Sequence, residues 1–507
     1  MKKKKKYNPN RVKNFISNWI YKFKTLSFAK NILFFYIFIT IVGSLFLFMP
    51  LSRKVDVDYI DCLFTSASAF SDTGLATLTT ATTWTEFGQS IIAILILVGG
   101  LGWFALKAYL FNIILGRPIS FRQRETLAAE RGSSKVGVTK NLIKVSVTIL
   151  FVVLVIAILI LFLYFYFAQP DFDPYRTGKD DKTLLTENPY HSVTTSFKYG
   201  IFHAISALNN AGFDIVGSSS FAPYYHEYGL QIILIVLFVI GGMGFPVIYD
   251  VYGYFRAKIT KEKFNWSLFT KVSSVTYLLV AAVGIGTTFI IETSAHTAAD
   301  GSQSFWERSD YGSKGDKVMA LFFNSMSTRN AGFATINMGT LSSATLFQYC
   351  IMMFIGSAPS STAGGIRTTT MAIVVLSIWS KIRGRNTVRA FRRRIPHETV
   401  VRSTVVFVSS LFLVAVASLI TLSSLQEFGG KSADSNFIHV IFEVTSAFGT
   451  TGLSTGLTPD LSLASKLTLF LLMFIGQLGV SSTLLVWDSR KNNSRKYTYI
   501  EEHIQTG

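Results

Sequence analysis

Long apolar runs alternate with short polar segments along most of the chain, and the alternation follows one plan four times. Each copy begins with an apolar run of about 20 residues, the length that crosses a bilayer as a helix. A shorter segment that reads as a helix follows, then a polar stretch and a second long run. The pattern predicts an all-α polytopic membrane protein with eight spans and four re-entrant segments. The predicted spans are 31–51, 89–115, 145–167, 229–254, 272–291, about 345–379, 405–425 and 467–487.

Each short segment leads into a similar string with a central glycine, such as Asp72-Thr73-Gly74-Leu75 in the first copy. The four glycines lie roughly 120–140 residues apart, which is too long a period for a solenoid and indicates four copies of one structural unit. A short helix that ends in a glycine between two spans suggests a pore loop. The predicted short helices are 63–70, 202–208, 322–327 and 442–448.

The glycines suggest a chemistry for these loops. Glycine adopts backbone angles that let successive carbonyls point to one side. Four such loops around an axis could replace the water shell of a cation with carbonyl oxygens. A glycine in an apolar helix is more often a packing residue, but four copies in one context favour a site. The predicted ion-binding residues are Thr73, Gly74, Ala211, Gly212, Ala331, Gly332, Thr451 and Gly452.

The long run in the third copy differs from the others, because small residues and a proline interrupt it at 356–365. Proline at that depth breaks a helix. Irregular backbone inside a membrane is tolerated only beside protein or a water-filled cavity. We therefore expect this segment to be non-helical and to lie beside protein or such a cavity; the alternative is a simple kink where the helix packs.

Charge sets the predicted topology. Half of the 507 residues are hydrophobic, and the net charge is +19. The basic residues lie between the apolar runs, which indicates a positive-inside membrane protein in preference to a nucleic-acid-binding one. Both termini are then cytoplasmic in a multi-pass cell-membrane protein, and the basic tail is expected to lie partly on anionic lipid.

The same charge pattern divides the chain into units and linkers. The predicted divisions are a basic cytoplasmic tail at 1–30, the first unit at 31–115, a cytoplasmic linker at 116–144, the second unit at 145–256, a linker at 257–271, the third unit at 272–380 with its interruption at 356–365, a basic linker at 381–404, the fourth unit at 405–487 and a cytoplasmic tail at 488–507.

Other function classes find little support in the sequence. Cys62 and Cys350 have no spacing for a disulfide framework or a metal site. There is no nucleophile–base pair, phosphate-binding loop or paired metal ligand set, so an enzyme is not expected. His203 lacks a second ligand at a metal-binding spacing, and we expect it to hydrogen-bond within its short helix.

The strings in all four copies resemble the Trk/Ktr/HKT superfamily of potassium transporters. The closest type is the KtrB-type membrane subunit, since 1–30 leaves no room for the two extra N-terminal helices usual in the Trk type. The matching strings are Ser68-Ala69-Phe70 with Thr73-Gly74-Leu75, Asn209-Asn210-Ala211-Gly212-Phe213-Asp214, Thr328-Arg329-Asn330-Ala331-Gly332-Phe333, Ser360-Ser361-Thr362-Ala363-Gly364-Gly365-Ile366-Arg367, and Ser446-Ala447-Phe448-Gly449 with Thr451-Gly452-Leu453.

The resemblance implies a potassium-translocating subunit with four M1–pore loop–M2 repeats in pseudo-fourfold arrangement around one ion pore. It also implies a homodimer docked on a cytoplasmic nucleotide-binding ring of the KtrA/TrkA type, with potassium as the bound ion and no cofactor in this chain. The interruption in the third unit corresponds to the family's intramembrane gate. The residues assigned to the gate are Gly356, Ser360, Ser361, Thr362, Gly364, Gly365 and Gln477.

Two residues depart from the family pattern. Gln477 stands where the family usually has an arginine, and Asp72 stands where we expect a neutral residue. Because a buried carboxylate needs a partner, we hypothesise that Asp72 or its neighbours pair with Arg329. Both departures keep a sodium-permeable or weakly selective transporter open as an alternative. A receptor or structural subunit without transport is the alternative from another class.

Overall fold

The computed structural model describes residues 28–101, 139–170, 185–295, 304–427, 437–480 and 483. Several predicted segments fall outside these residues: nearly all of the tail at 1–30, most of the linker at 116–144, and the tail at 488–507. Parts of the outer loops and the last residues of the first and fourth units also lie outside the described residues.

The described part of the chain is mostly helical and repeats one order of elements four times. A helix is followed by a buried helix that ends at a glycine string, and then by a return helix that is broken in the second and third copies. We call α2, α5, α9 and α13 the loop helices. The helices are α1 (Phe28–Phe48), α2 (Tyr59–Phe70), α3 (Glu86–Leu101), α4 (Thr139–Phe167), α5 (Val193–Leu208), α6 (Tyr228–Gly242), α7 (Phe245–Thr260), α8 (Leu268–Ser294), α9 (Lys314–Ser327), α10 (Ser343–Phe354), α11 (Thr368–Ile382), α12 (His397–Glu427), α13 (Phe437–Gly449) and α14 (Leu463–Leu478).

Three of the described helices are long and apolar enough to cross a membrane, namely α4, α8 and α12. The pair α6 and α7 gives a fourth candidate span, although it is bent by 102°. The remaining apolar helices contribute described stretches of 10–17 residues, among them 33–48 of α1, fewer than the roughly 20 that a bilayer needs. The count of eight spans therefore stays a prediction.

The predicted span at 229–254 contains a break, because α6 ends at Gly242 and α7 begins at Phe245. Gly244 has φ +79°, which glycine adopts without a steric cost. Pro246 occupies the first turn of α7, where its missing N–H needs no partner. Gly244 and Pro246 are visible in the sequence as signals of a break, but the apolar residues on both sides of them favoured one continuous helix.

A short hairpin in the basic linker at 381–404 was not predicted. Strands β1 (Arg389–Ala390) and β2 (Arg393–Arg394) pair antiparallel. Phe391 and Arg392 form the turn, both with positive φ, as the two-residue turns that suit hairpins require. The hairpin packs through Ala390 and Ile395 onto Val272 of α8 and Ala372 of α11.

The helices pack in a closed cycle. The return helix of each copy contacts the loop helix of the next: α3 lies on α5, α6 on α9, and α10 on α13. The last return helix, α14, contacts the first loop helix, α2. Each loop helix is largely buried, and the glycine strings at their ends are brought toward one another.

Candidate functional site

Four loops with the same backbone leave the four loop helices. We call 72–75, 210–213, 330–333 and 450–453 glycine loops 1 to 4. In each, the N–H of the residue before the glycine donates to a serine carbonyl in the last turn of the helix. The four bonds are Thr73 N to Ser68 O, 2.9 Å; Ala211 N to Ser206 O, 2.8 Å; Ala331 N to Ser327 O, 2.8 Å; and Thr451 N to Ser446 O, 2.9 Å.

Positive φ angles recur at the same two positions of each loop. Gly74, Gly212, Gly332 and Gly452 have φ of +87°, +68°, +79° and +92°. The residue two before each glycine is also left-handed, with φ between +50° and +69°. A residue with a side chain is strained at such angles, so the loop shape selects glycine. The four preceding residues are Asp72, Asn210, Asn330 and Thr450.

The four glycines meet around one point. A Cβ built on Gly74 would overlap the carbonyl oxygen of Ala211, and one built on Gly332 would overlap that of Thr451. A Cβ on Gly212 would lie 2.8 Å from the Cα of Gly332, and one on Gly452 would overlap the carbonyl oxygen of Thr73. Each glycine therefore touches the next loop, and the fourth returns to the first. The structure brings all eight predicted ion-binding residues together.

A cavity of about 720 Å³ opens on one side of this ring. All four glycines line it, together with many hydroxyl side chains that include Thr77, Thr80 and Ser454. Its lining carboxylate is Asp214, whose Oδ1 accepts from the N–H of Val216 at 3.2 Å. Asp214 thus caps a turn at the edge of the cavity.

The non-helical segment 355–367 joins α10 to α11 and contains six of the predicted gate residues. It lies against the loop residues that precede the glycines. Ser357 Oγ donates to Asn330 Oδ1 at 3.1 Å, and Thr362 Oγ1 donates to Asn210 Oδ1 at 3.4 Å. The N–H of Gly364 donates to Thr450 Oγ1 at 2.8 Å. None of 355–367 lines the cavity, so the segment contacts the ring from elsewhere.

The segment 355–367 is tightly folded on itself. Ile355 and Ile366 form a parallel bridge. A Cβ on Gly356 would overlap the carbonyl oxygen of Gly364, and Gly365 has φ +72°. Glycine is needed here for close backbone approach and for the left-handed angle. Ser360 is also left-handed, and its carbonyl accepts from the N–H of Phe245 at 3.1 Å across the break in the second return helix.

Gln477 contacts both glycine loop 1 and the 355–367 segment. Its Nε2 donates to Asp72 Oδ2 at 3.0 Å. Its carbonyl oxygen accepts from the guanidinium of Arg367 at 2.9 Å. The two departures from the family pattern are therefore in direct contact, and Gln477 lies beside the other predicted gate residues.

The predicted pairing of Asp72 with Arg329 is wrong. Arg329 is fully buried and donates to the carbonyl oxygens of Met352 at 2.9 Å and Gly356 at 2.8 Å, and also to that of Ile355. Its guanidinium also lies over the ring of Tyr277, 5.0 Å from the centroid. The carbonyls at the end of α10 carry the negative end of the helix dipole and attract this cation.

Several predictions about single residues have clear outcomes. His203 Nδ1 lies 2.8 Å from the carbonyl oxygen of Tyr199, one turn earlier in its helix, as expected. The loop helices end within two residues of the predicted positions but begin 4 to 9 residues earlier. The asparagines that precede two of the glycines were not singled out. Their recurrence at one position in successive strings was the signal that could have found them.

Comparison with known proteins identifies the family. The model of the TrkH family, described as cation transport proteins, matches residues 40–496. The chain belongs to this family. Since the family consists of cation transporters, this TrkH-family chain is a transporter and not an enzyme.

Relatives agree with this assignment. The chain is 34% identical to the Ktr system potassium uptake protein D of Bacillus subtilis, over 96% of this chain and 98% of the relative. It is also 34% identical to the potassium/sodium uptake protein NtpJ of Enterococcus hirae, over 93% of this chain and 95% of the relative. The predicted membership of the Trk/Ktr superfamily, on the Ktr side, is confirmed.

A solved structure shares the fold. The crystal structure of the potassium transporter TrkH from Vibrio parahaemolyticus superposes with a TM-score of 0.64, covering 90% of this chain and 84% of that chain, at 16% sequence identity. The all-α membrane fold predicted from the apolar runs is confirmed.

Proposed function

We propose that this chain conducts potassium ions into the cell through the ring of glycine loops 1 to 4. The observation that carries the proposal is the meeting of Gly74, Gly212, Gly332 and Gly452 around one point. Relatives that align over nearly the whole chain are named potassium uptake proteins. Four M1–pore loop–M2 repeats in pseudo-fourfold arrangement would account for the closed packing cycle of the helices.

The ion is held by main-chain oxygens in this proposal. Carbonyls of the glycines and of the residues before them face the axis and replace water around the ion. The close approach of neighbouring loops supports it, because the carbonyl oxygens of Thr73, Ala211, Ala331 and Thr451 each lie against the glycine of the preceding loop in the ring. The hydroxyl-rich cavity next to the ring is the outer mouth, from which hydrated ions enter.

The 355–367 segment serves as the gate. Its hydrogen bonds to Asn210, Asn330 and Thr450 hold it directly against the ring. Ions that have passed the glycines meet this segment, and it must move for conduction. Its small residues, with glycines at 356, 364 and 365, can form alternative hydrogen bonds with little backbone strain.

The working assembly that we propose is a homodimer in the cell membrane, docked on a cytoplasmic nucleotide-binding ring. The relative named as part of a Ktr system supports more than one component. The linker at 381–404 has eight basic residues and one acidic residue, which suits a cytoplasmic location near lipid phosphates or an acidic partner surface. Both chain termini lie on that side.

Sodium is the second candidate ion. One relative is named a potassium/sodium uptake protein. Asp72 also places a carboxylate where the other three loops have Asn210, Asn330 and Thr450. Potassium remains the leading candidate, because all four loops have glycine at the central position.

Flux measurements on the purified protein in proteoliposomes test the proposal. Gly452→Ala should reduce potassium flux at least about tenfold, because its Cβ would collide with glycine loop 1 and the backbone angle is strained. Gly384→Ala is the matched control, since Gly384 also has a positive φ but nothing lies within 4 Å of its added Cβ. Equal flux through the two variants would refute the pore.

A further inference from the structure

Three of the four glycine loops are tied to their loop helices by a buried polar side chain. The tie reaches the backbone N–H three residues after the glycine. Nε2 of His203 accepts from Ile215 at 3.3 Å, Oδ1 of Asn324 accepts from Thr335 at 3.3 Å, and Oε1 of Glu443 accepts from Thr455 at 2.8 Å. The side chains of His203, Asn324 and Glu443 are fully buried.

The tie behind glycine loop 4 is the most extensive. Besides the Thr455 N–H, the carboxylate of Glu443 accepts from Ser454 Oγ at 2.8 Å, Thr455 Oγ1 at 3.2 Å and Thr458 Oγ1 at 2.6 Å. Hydrogen bonds to a carboxylate are stronger than neutral ones. Glu443 therefore holds the whole segment that leaves this loop.

A second tie joins a serine in the last turn of each of these helices to its glycine loop. Ser206 Oγ donates to the carbonyl of Phe213 at 2.6 Å, and Ser327 Oγ donates to that of Phe333 at 2.6 Å. In glycine loop 4, the N–H of Gly452 donates to Ser446 Oγ at 3.1 Å. The three loops are thus fastened to their helices at two points, one at or directly after the glycine and one three residues after it.

Glycine loop 1 lacks both ties. Thr65 occupies the position of His203 and Glu443, nine residues before the glycine, and Ser68 occupies the position of Ser206 and Ser446. The hydroxyls of Thr65 and Ser68 are buried and have no hydrogen-bond partner among the described residues. Glycine loop 1 keeps the backbone bond from Thr73, a contact between the Ser71 and Thr73 hydroxyls at 2.7 Å, and the hydrogen bond from Gln477 Nε2 to Asp72 Oδ2 at 3.0 Å, none of which comes from the positions of the two ties.

We propose that glycine loop 1 is the adjustable quarter of the ring and that His203, Asn324 and Glu443 are positioning residues for the other three. This inference rests on the proposed function. In the snug-fit account of ion selectivity, carbonyl oxygens favour potassium over sodium while the surrounding structure keeps them from closing on the smaller ion. Loops with fewer restraints deform at lower free-energy cost. The three tied loops therefore set the spacing of the carbonyl oxygens around the ion. The position of glycine loop 1 then determines how much sodium passes.

Serine-to-alanine substitutions at equivalent positions test whether the tied loops and glycine loop 1 contribute differently to selectivity. Ser206→Ala and Ser446→Ala each remove a hydrogen bond, so the potassium-to-sodium flux ratio in proteoliposomes should fall by about 2- to 10-fold. Ser68→Ala removes none and should leave the ratio within about twofold of the wild type. A ratio that falls as far in Ser68→Ala as in Ser206→Ala would overturn the proposal.

Two buried glutamates, one tied to a glycine loop and one not, give a second test that controls for folding. Glu443→Gln removes the charge of the tie and should lower the flux ratio about tenfold, while Glu443→Asp should restore part of it. The control is Glu292→Gln. Glu292 is equally buried, but it accepts from the N–H and Oγ of Ser342, away from the glycine loops, so its loss should leave the ratio unchanged.

The outcomes distinguish this proposal from the pore itself. If folded Glu443→Gln and Glu292→Gln show the same ratio while Gly452→Ala blocks flux, the pore stands and the positioning roles fall. Should Glu443→Gln fail to fold, Asn324→Ala is measured in its place. Asn324→Ala removes the hydrogen bond to the N–H of Thr335 without changing any charge. An unchanged flux ratio in that variant also contradicts the proposal.

Discussion

At the scale of single residues, Asp72 and Gln477 are best understood together. They lie 405 positions apart, and Gln477 Nε2 donates to Asp72 Oδ2 at 3.0 Å. Gln477 is neutral where the resemblance implies an arginine, and Asp72 is charged where a neutral residue is expected, so the two differences act in the same direction. One removes a positive charge and the other adds a negative one, so the electrostatic barrier to a cation beside glycine loop 1 is lowered.

Introducing arginine at position 477 tests the coupling between these residues. Gln477→Arg alone should reduce potassium flux only several-fold, because Asp72 neutralises the new charge. In the Asp72→Asn background, Gln477→Arg leaves an unpaired cation beside the ring and should reduce potassium flux about tenfold more. The measurement is a double-mutant cycle of flux in proteoliposomes, normalised to folded protein. Additive effects would show that the two residues act independently.

At the scale of elements, Arg329 joins glycine loop 3 to the end of α10. The last carbonyls of a helix have no partners within it. Here the guanidinium of Arg329 binds those of Met352 and Ile355, and also that of Gly356, the second residue of the 355–367 segment. A charged side chain therefore fixes the start of the proposed gate to the ring.

Replacing Arg329 should loosen the gate. Arg329→Gln removes charge-assisted hydrogen bonds, each worth about 1.5–3 kcal/mol, and should expose the segment more often. We expect a Ser361→Cys reporter, with Cys62 and Cys350 replaced by alanine, to react at least about tenfold faster with a membrane-impermeant thiol reagent.

Arg308→Gln is the control for this experiment. Arg308 forms an ion pair with Asp310 at 2.6 Å and lies outside the ring, so labelling should not change. A folded Arg329→Gln protein with wild-type labelling would show that Arg329 does not hold the gate.

The sequence predicted where the loop helices end better than where they begin. Their ends are marked by the glycine strings, and the predicted and observed ends agree closely. Their first turns are polar, as in Val193-Thr-Thr-Ser and Lys314-Gly-Asp-Lys, and such residues also occur in loops. Ser313 begins α9 with a capping box to Asp316, a local signal that could have placed this start correctly.

At the scale of the whole molecule, the packing cycle closes between the last return helix and the first loop helix. Lys466 of α14 and Asp61 of α2 form an ion pair at 2.7 Å, with their side chains only 13% and 12% exposed. Removing one partner of a buried pair leaves an uncompensated charge. This pair therefore holds the two ends of the ring together.

Breaking the pair should destabilise the protein. Lys466→Met should lower the free energy of unfolding by about 1–3 kcal/mol, less than for a fully buried pair because some water reaches it. Lys466→Met with Asp61→Leu should recover much of the loss, since no charge is then left alone. Arg53→Gln is the control, because its partner Asp56 is fully exposed. Thermal unfolding in detergent measures all three, and a harmless Lys466→Met would contradict this role.

The repetition of one string predicted that the four glycines converge. It did not predict the side-chain contacts that hold the loops to their helices. The ties use histidine, asparagine and glutamate at similar positions in three loop helices, so no common residue type marks them. The partners of Arg329 are backbone carbonyls, which sequence does not distinguish. The predicted partner of Arg329 was a carboxylate, that of Asp72, whereas its partners in the structure are neutral carbonyl oxygens.

The contact between Asp61 and Lys466 has a consequence for biosynthesis. The first loop helix, α2, leaves the ribosome long before α14, the helix that packs against it. Chains are synthesised at roughly 5–20 residues per second. The nascent chain holds three of the four glycine loops while 452 − 332 = 120 further residues are added, which takes roughly 6–24 s at that rate, and Asp61 has no Lys466 to pair with during that time. If the ring binds the ion as proposed, a chain stopped before α14 should show no potassium flux, because the proposed site is complete only when translation is nearly finished.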